Sequence, residues 1–461
     1  MTAEQAADIV VIGAGPAGLS AATAAANSGA RVVLLDDQEM PGGQIYRAIE
    51  QASEARKNIL GKDYAAGAGI VEAFRASKAV HVGGADIWDI TGEREVHYLR
   101  DGRSHSLSAA RVVLCTGAME RPFPISGWTL PGVMTAGAAQ IMLKSAALIP
   151  QEPVTIAGCG PLLYLLAWQY LRAGAKIQAI IDTAESVHAL KLLPQAVSAI
   201  RGWRYFAKGL KLMHKIRKHR TPWFQGATDL RIEGRERADG LSFSHRGTRH
   251  TVASRLVLLH QGVVPNTLIS MGIGARHIWD EAQLCWRPEA DSSGRLSVDG
   301  FYIAGDGSGI GGAEVAAIGG HMAGVAAAFD LGFLDQARYE KALSSSQRVL
   351  RVHAGARALI DAMYRPPAHT RVPASDDVLV CRCEEVTAGD LRHAVRLGCS
   401  GPNQVKSFYR CGMGACQGRQ CSLTATDLIA MERQCSPEEV GYLRARPPYK
   451  PINLDQLSAK P

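Results

Sequence analysis

The chain has 461 residues, of which 47% are apolar and 20% are charged, and its formal net charge is +8. This length is too great for one ordinary hydrophobic core and indicates two or three domains. The apolar content excludes an intrinsically disordered chain, and the 48 glycines show no three-residue period, which excludes collagen.

The first predicted elements form a βαβ unit. A short apolar strand from Ile9 to Ile12 leads directly into a glycine-rich turn, and an Ala-rich helix continues to about Ser28. A second apolar strand ends at Asp36, where a carboxylate can accept hydrogen bonds from a ribose. In such a turn the glycines bring the backbone and the helix N-terminus close to a pyrophosphate. The residues expected at a dinucleotide are Gly13, Gly15, Pro16, Ala17, Gly18, Asp36 and Asp37.

Three later segments indicate which nucleotide to expect. Pro41-Gly42-Gly43-Gln44, Thr116-Gly117 and Ala304-Gly305-Asp306 resemble the remaining signatures of flavoproteins that contain two dinucleotide-binding folds. The resemblance implies FAD, with the first segment along the pyrophosphate and flavin and the last at the ribityl chain. It also implies a backbone contact near the adenine. The residues expected at FAD on this basis are Gly43, Gln44, Arg47, Ile87, Thr116, Gly117, Gly305 and Asp306.

A similar βαβ unit opens at Val154 and contains a glycine-rich turn from Gly158 to Leu163. Leu163 replaces the third glycine of the turn, and a larger side chain there pushes the helix away from the strand. A pyrophosphate is therefore not expected to bind in the usual way. Three interpretations stay open: a functional NAD(P) site, a vestigial fold used for packing or subunit contact, and a site for another nucleotide such as ATP.

Six of the ten cysteines lie between residues 381 and 421. In a reducing compartment a local group of thiols is more often a metal site than a set of disulfides. Cys381-x-Cys383 and Cys416-x4-Cys421 together supply four thiolates, which suit an iron–sulfur cluster or zinc, although Cys-x-Cys is tight for a zinc knuckle. Cys411, five residues before Cys416, stays open as the competitor of Cys421.

The predicted elements between these cysteine pairs resemble the bacterioferritin-associated-ferredoxin type of 2Fe–2S module. That family pairs Cys-x-Cys with a later Cys-x-x-Cys, so the final spacing is longer in this chain. The resemblance implies a [2Fe–2S] cluster, and a structural zinc is the alternative. The implied metal ligands are Cys381, Cys383, Cys416 and Cys421.

These elements predict an α/β flavoprotein with two dinucleotide-binding domains, Rossmann-like and of the glutathione-reductase type, plus a small helical C-terminal 2Fe–2S module. The Pro-rich end of the chain is expected to lie extended over a neighbour. The expected division is an FAD-binding domain in two parts (1–120 and 266–330), a second dinucleotide-binding domain (121–265), a helical linker (331–375), the cluster module (376–435) and the tail (436–461).

The cellular location is predicted from two kinds of segment that the sequence lacks, a signal peptide and a membrane span. No basic segment precedes an apolar one between Met1 and Asp8, so no signal peptide is expected. The longest apolar stretch, Leu162 to Leu171, is much shorter than the roughly 20 residues of a membrane span. We therefore expect a cytoplasmic protein without a membrane span.

A basic run from Lys208 to Arg220 would attract phosphates, but no nucleic-acid recognition motif accompanies it. This favours a solvated helix face, or a helix face that docks an acidic partner subunit.

The sequence nominates no catalytic base with a supporting pattern, so the catalytic residues stay unknown. His260, His277 and His321 are candidates by residue type alone. No Cys-x-x-Cys lies beside the flavin motifs, which argues against a thioredoxin-reductase or disulfide-reductase activity.

The whole chain resembles the larger (α or A) flavoprotein subunit of bacterial opine oxidases, D-hydroxyproline dehydrogenases and hydrogen cyanide synthase. The resemblance implies that a second (β or B) flavoprotein subunit oxidises a secondary amine or amino acid and that this chain takes the electrons onward. It also implies a small ferredoxin-like subunit, FMN shared between subunits, and NAD or ATP in a nucleotide fold. The alternatives are a stand-alone NAD(P)H-dependent FAD reductase and a non-enzymatic flavin-fold protein with a structural zinc. The segments that carry the resemblance are 13–18, 115–122, 127–133, 381–385 and 412–419.

Overall fold

The computed structural model describes residues 6–185 and 203–458. The strands in these ranges are β1 (Ala6–Ile12), β2 (Val32–Leu35), β3 (Val80–Val82), β4 (Asp86–Ile90), β5 (Glu95–Arg100), β6 (Arg103–Leu114), β7 (Ala118–Glu120), β8 (Val133–Thr135), β9 (Val154–Cys159), β10 (Ile177–Asp182), β11 (Trp223–Gln225), β12 (Thr228–Glu233), β13 (Gly240–His245), β14 (Thr248–Ala253), β15 (Val257–Gln261), β16 (Val263–Pro265), β17 (His277–Asp280), β18 (Cys285–Pro288), β19 (Phe301–Ile303), β20 (Leu379–Cys381) and β21 (Val386–Thr387).

The helices in the same ranges are α1 (Pro16–Asn27), α2 (Glu54–Leu60), α3 (Lys62–Ala65), α4 (Gly67–Arg75), α5 (Ala136–Ala146), α6 (Pro161–Arg172), α7 (Trp203–Lys218), α8 (Leu268–Gly272), α9 (Ala313–Asp330), α10 (Gln336–Met363), α11 (Ala368–Arg371), α12 (Ala388–Arg396), α13 (Pro402–Tyr409), α14 (Ser422–Arg433), α15 (Pro437–Val440) and α16 (Leu454–Ser458). None of these described helices combines the length and the apolar composition that crossing a membrane requires.

The first sheet has seven strands in the order β3-β2-β1-β6-β5-β4, and β19 also pairs with β6. β1 is parallel to both β2 and β6, which places Ile9 opposite Val32 on one side and Arg111 on the other. Residues 9–12 of β1 and all of β2 are continuous runs of Val, Ile and Leu, as expected for parallel strands that are covered on both faces. Because β19 is parallel to β6, the beginning of the chain and residues 301–303 share this sheet.

Helices α1 and α9 pack on this sheet with their backbones in contact. A Cβ atom at Gly320 would lie 2.0 Å from the carbonyl oxygen of Ala17, and one at Gly324 would lie 2.2 Å from that of Ala21. The small residues of both helices are therefore required by the close approach of the two helices rather than by helix propensity.

The second sheet has five strands in the order β11-β10-β9-β15-β8, and all its pairings are parallel. The antiparallel sheet β12-β13-β14 packs on it, and Phe243 belongs to the same buried cluster as Ala179 and Ile181. On the other side, Leu143 of α5 and Leu166 of α6 join the core of the first unit. The two nucleotide-type units therefore share one continuous core.

The cysteine-rich segment forms a small module with its own core. The hairpin β20–β21 precedes α12, which starts with a capping box made by Thr387 and Asp390. Helices α12, α13 and α14 pack around Leu391, Val405 and Leu428, which are all fully buried.

Side chains of α11 and of the second unit help to join this module to the rest of the chain. The carboxylate of Asp427 on α14 lies 2.6 Å from the guanidinium of Arg371; the Asp427 side chain is 4% exposed and the Arg371 side chain 15%. The indole of Trp128 donates a hydrogen bond of 2.8 Å to the carbonyl oxygen of Leu379, and the guanidinium of Arg382 lies 5.3 Å from the centre of the Trp128 ring.

The tail packs on the first unit of the same chain. The Tyr449 amide donates to the carbonyl oxygen of Trp88 at 2.8 Å, and the Tyr449 side chain is buried in the core beside β4 and β5. The ammonium of Lys450 forms ion pairs with Asp37, at 3.1 Å, and with Asp86. A sequence pattern of prolines predicts the extended backbone but not the buried tyrosine that anchors it.

Three cations of the basic run are used within the chain. Lys208 pairs with Asp63, the Lys215 ammonium lies 4.9 Å from the Trp168 ring, and the Arg217 guanidinium lies 5.3 Å from the Trp223 ring. These three side chains therefore contact residues of their own chain, and the two interpretations of the basic run, a solvated helix face and a docking face for an acidic partner subunit, both stay open.

Acidification is expected to destabilise the protein through His277. Its ring nitrogens bond to Ser270 Oγ at 2.9 Å and to the Ala275 carbonyl oxygen at 2.8 Å, and burial lowers its pKa to about 4. The unfolded chain takes up a proton near pH 6.5 while the folded chain does not, so stability is lost as the pH falls from about 6.5 to about 4, by at most about 3 kcal/mol. Chemical denaturation at several pH values measures this loss.

The variant His277→Asn should show a flatter dependence of unfolding free energy on pH in this range. His393→Asn is the matched control, because His393 is exposed on α12. An unchanged profile in His277→Asn would mean that other groups cause the acid sensitivity.

Candidate flavin site and cysteine cluster

In the first glycine turn the backbone segments lie so close together that there is no room for a side chain. Gly13 has a φ of +103°, and a Cβ there would lie 2.3 Å from the carbonyl oxygen of Cys115. A Cβ at Gly18 would lie 1.7 Å from the carbonyl oxygen of Gly13. Pro16 occupies the first turn of α1, directly after Gly15. The N-terminus of α1 is therefore presented at the end of β1, where an anion would be stabilised.

The second signature lies against this turn. The amide of Gly42 donates to the carbonyl oxygen of Ala14 at 2.8 Å, and a Cβ at Gly43 would lie 2.7 Å from Gly15 Cα. Gln44 follows with its side chain exposed. These two backbone segments form a cradle that a Cβ would fill, and such a cradle fits a pyrophosphate.

Asp36 lies at the end of β2 and is buried. Its carboxylate accepts hydrogen bonds from the amides of Ala14 and Gln38, the latter at 2.7 Å, and burial raises its pKa to about 6. Asp37 lies beside it and pairs with Lys450 of the tail, so the two predicted carboxylates have different partners. Asp36 is thus fixed at the edge of the cradle, and Asp37 is engaged by the end of the chain.

The remaining FAD signatures converge on the same place. A Cβ at Gly305 would lie 2.7 Å from the Ala17 side chain, so the turn after β19 touches the first turn of α1. Asp306 Oδ1 accepts hydrogen bonds from the amides of Gly311 and Gly312 at 2.9 and 3.0 Å, which order the loop before α9.

The structure also places four other residues that were predicted to bind FAD. Thr116 donates to the carbonyl oxygen of Asn266 at 2.8 Å, and Gly117 has a φ of +67°. Ile87 is buried in β4, and the carbonyl oxygen of Arg47 accepts a hydrogen bond of 2.7 Å from Tyr64. The structure therefore gathers the first turn, the second signature and the turn after β19 at one end of the first sheet.

Lys144 on α5 was not found by sequence reasoning. Its side chain is buried, and its ammonium donates a hydrogen bond of 3.0 Å to the carbonyl oxygen of Gln44. Burial, with a smaller contribution from Arg47, lowers its pKa to about 7. A residue 100 positions from Gln44 gives no local signal in the sequence, because only the packing of the second unit on the first brings it there.

The turn of the second unit has different surroundings. Asp182, at the end of β10, is buried and accepts hydrogen bonds from the hydroxyl of Tyr164 and from the Ala184 amide at 2.9 Å. Cys159 donates to Gln261 Oε1 at 3.1 Å and lies 3.6 Å from the carbonyl oxygen of Tyr364. The carboxylate that would accept hydrogen bonds from a ribose is therefore already engaged by a tyrosine.

The three candidate histidines lie on three different elements, β15, β17 and α9. His260 Nδ1 lies 2.6 Å from Glu120 Oε1 with both side chains largely buried, and His277 bonds as described above. His321 lies on α9, and burial lowers its pKa. These observations assign none of the three to a reacting group.

Five thiols of the C-terminal module lie in two groups, one of three and one of two. The sulfur atoms of Cys381, Cys411 and Cys421 all lie within 4.8 Å of one another, and the three side chains are buried. Cys383 is exposed, and its thiol is in hydrogen-bond contact with that of the half-buried Cys416. Of the four predicted ligands, Cys381 and Cys421 therefore lie in one group, which also contains Cys411, and Cys383 and Cys416 form a second pair.

The donor set fits a 2Fe–2S cluster, which needs two thiolates for each of two irons. Cys383 and Cys416 form one pair, and Cys381 has either of its two buried neighbours as a partner for the other. Hydrogen bonds from the thiols of Cys411 and Cys421 lower the pKa of Cys381 to about 2, and the amides of Gly412 and Glu384 add to this effect. Amide donors to cysteine sulfur stabilise a thiolate that is bound to iron.

The model for pyridine nucleotide-disulphide oxidoreductases matches residues 7–330, and the model for the sarcosine oxidase A3 domain matches residues 376–461. The opine oxidase A chain of Rhizobium meliloti, one subunit of that enzyme, is 42% identical over 98% of this chain and 88% of its own length. The chain belongs to the family of opine oxidase A subunits. The HcnB subunit of hydrogen cyanide synthase from Pseudomonas aeruginosa is 29% identical over 96% of both chains. The alpha subunit of sarcosine oxidase from Rhizobium meliloti is 26% identical over 98% of this chain and 42% of its own length.

Solved structures share the fold at low sequence identity. L-proline dehydrogenase from P. horikoshii superposes with a TM-score of 0.72 at 18% identity, covering 98% of this chain and 79% of that one. Thioredoxin reductase from T. acidophilum gives a TM-score of 0.52 at 20% identity, covering 71% of this chain and 99% of that one.

These findings confirm the predicted fold class, a two-domain α/β flavoprotein of the FAD/NAD type with a helical C-terminal part. They also confirm the family resemblance and the prediction of an FAD-dependent oxidoreductase that works as one subunit of a larger enzyme. Relatives that are named as subunits indicate a multi-subunit enzyme.

Proposed function

We propose that this chain is the electron-transferring FAD and 2Fe–2S subunit of an enzyme whose partner flavoprotein subunit oxidises a secondary amine or amino acid of the opine or D-hydroxyproline type. The observation that carries the proposal is the group of thiols in a module that packs against a flavoprotein fold. Relatives named as subunits of opine oxidases support the substrate class. The absence of a supported catalytic base among the described residues agrees with substrate oxidation on another subunit.

The FAD site is assigned to the cradle at the end of the first sheet. The amides at the start of α1 would face the pyrophosphate, and Asp36 would accept hydrogen bonds from the ribose. Lys144 fixes the backbone of Gln44 from the second unit and brings a cation close to the flavin segment.

The cluster site is assigned to Cys381 and Cys421 on one side and Cys383 and Cys416 on the other. Bound FAD would exchange an electron pair, whereas a 2Fe–2S cluster would pass electrons singly. Trp128 holds the cysteine hairpin on the second unit through the Leu379 carbonyl oxygen, two residues before Cys381. Cys383 is exposed, so one edge of the cluster would face a partner or solvent.

The purified chain tests the proposal directly. The expected result is a yellow-brown protein that contains FAD together with equal amounts of iron and acid-labile sulfide. A colourless protein, or one that contains zinc in place of iron, would contradict the proposal and would favour a non-enzymatic protein with a structural zinc.

A stand-alone NAD(P)H-dependent reductase is the competing enzyme. Leu163 in place of the third glycine of the second turn disfavours it, because a larger side chain there pushes the helix away from the strand and a pyrophosphate is not expected to bind in the usual way. Anaerobic mixing with stoichiometric NADH is therefore expected to bleach the flavin slowly or not at all, as followed by visible absorption. Dithionite in the same cuvette is the control that shows the flavin to be reducible. Rapid bleaching by NADH would overturn this part of the proposal.

A further inference from the structure

The C-terminal module brings together one more thiol than a 2Fe–2S cluster binds. Cys411 is as deeply buried as its neighbours, with 3% of its surface exposed against 1% for Cys381 and 1% for Cys421. The sulfur atoms of these three residues lie within 4.8 Å of one another. Two thiolates on one tetrahedral metal at about 2.3 Å lie about 3.8 Å apart, so each of the two neighbours is within about 1 Å of a ligand position beside Cys381.

The backbone holds Cys411 in this place. Arg410 has a φ of +58° and Gly412 a φ of +85°, so the chain turns sharply on both sides of the cysteine. The amide of Met413 closes the turn on the carbonyl oxygen of Arg410 at 2.9 Å, and Arg410 itself bonds to Glu384, next to Cys383. Cys421 is held separately, at the N-terminus of α14. The two thiols thus reach the same position from different segments.

We propose that Cys411 is a reserve thiol of the cluster. In the intact chain its S–H group donates a hydrogen bond to the sulfur of Cys381, while Cys421 is the ligand. When Cys421 is removed, Cys411 takes its place: the S–H proton goes to solvent, one sulfur–iron bond forms, and no electron is transferred. This inference rests on the proposed function, because it requires the cluster.

Alanine variants of the full-length chain test it, with iron, acid-labile sulfide, the spectrum and the midpoint potential as readouts. Cys411→Ala should keep the iron and sulfide and shift the midpoint potential to a more negative value, because the reduced cluster loses a hydrogen bond to sulfur. Cys421→Ala should keep a substantial part of the iron, with an altered electron paramagnetic resonance spectrum after reduction. The double variant should lose the cluster.

Cys399→Ala is the matched control, since Cys399 is buried in the same module core but does not belong to the group formed by Cys381, Cys411 and Cys421. It should leave the spectrum and the potential unchanged, and wild-type resistance of the module to limited proteolysis shows that a variant is folded. Loss of the cluster in Cys411→Ala alone would make Cys411 a native ligand and overturn the inference. Complete loss in Cys421→Ala, or an unshifted potential in Cys411→Ala, would also overturn it. A wild-type chain without iron and sulfide would instead refute the proposed function itself.

Discussion

Gly18→Ala is expected to abolish retention of FAD and to destabilise the first unit. The added methyl group would lie 1.7 Å from the carbonyl oxygen of Gly13, so α1 would have to move away from the turn. It has no room to do so, because Gly320 and Gly324 of α9 already bring that helix against the backbone of α1. Overpacking of this kind costs about 3 kcal/mol or more. The measurements are the ratio of FAD to protein after gel filtration and the melting temperature.

Gly69→Ala is the matched control for this variant. Gly69 also lies in a helix, α4, and a Cβ there would have nothing within 4 Å. The substitution should leave FAD binding unchanged and should stabilise the helix by up to about 1 kcal/mol. If Gly18→Ala kept its FAD and the wild-type melting temperature, the assignment of this turn to the pyrophosphate would be wrong.

The difference between these two glycines shows what local sequence can predict. The spacing of Gly13, Gly15 and Gly18 between a strand and a helix indicates the turn, because each glycine answers a requirement within a few residues. The composition of α9 is less informative, since its glycines contact α1, a helix that comes much earlier in the chain. Local motifs therefore predicted the units and the cradle but not the helix packing that makes the cradle rigid.

Contacts between separate helices and strands could not be predicted from the sequence for the same reason. Lys144 donates a hydrogen bond to the carbonyl oxygen of Gln44, and Tyr164 donates one to Asp182. The packing that brings these residues together leaves no periodic pattern in the sequence. In the cysteine module, spacing alone predicted a cluster of thiols and left Cys411 and Cys421 as competitors. Burial and distance place both thiols beside Cys381, so the competition that the sequence left open corresponds to two real positions.

Arg371→Met is expected to loosen the cysteine module while the flavin unit stays folded. The Asp427 carboxylate is 4% exposed and lies 2.6 Å from Arg371, which is the cation bonded to it. Removing one partner of a buried ion pair costs about 3–5 kcal/mol, because the other charge stays buried without compensation. Limited proteolysis should then release a C-terminal fragment at concentrations of protease that leave the wild-type chain intact, and FAD should remain bound to the larger fragment.

The pH dependence and two further variants make this prediction specific. Burial raises the pKa of Asp427 even beside Arg371, so in Arg371→Met the folded module should bind a proton at this carboxyl and lose less stability at pH 5 than at pH 8. Adding Asp427→Leu should recover much of the loss, since no buried charge is left. Arg338→Met is the control: its pair with Asp335 is exposed, with 76% and 62% of the side chains accessible, and should contribute at most about 1 kcal/mol. Equal protease resistance of Arg371→Met and Arg338→Met would show that the buried pair does not hold the module in place.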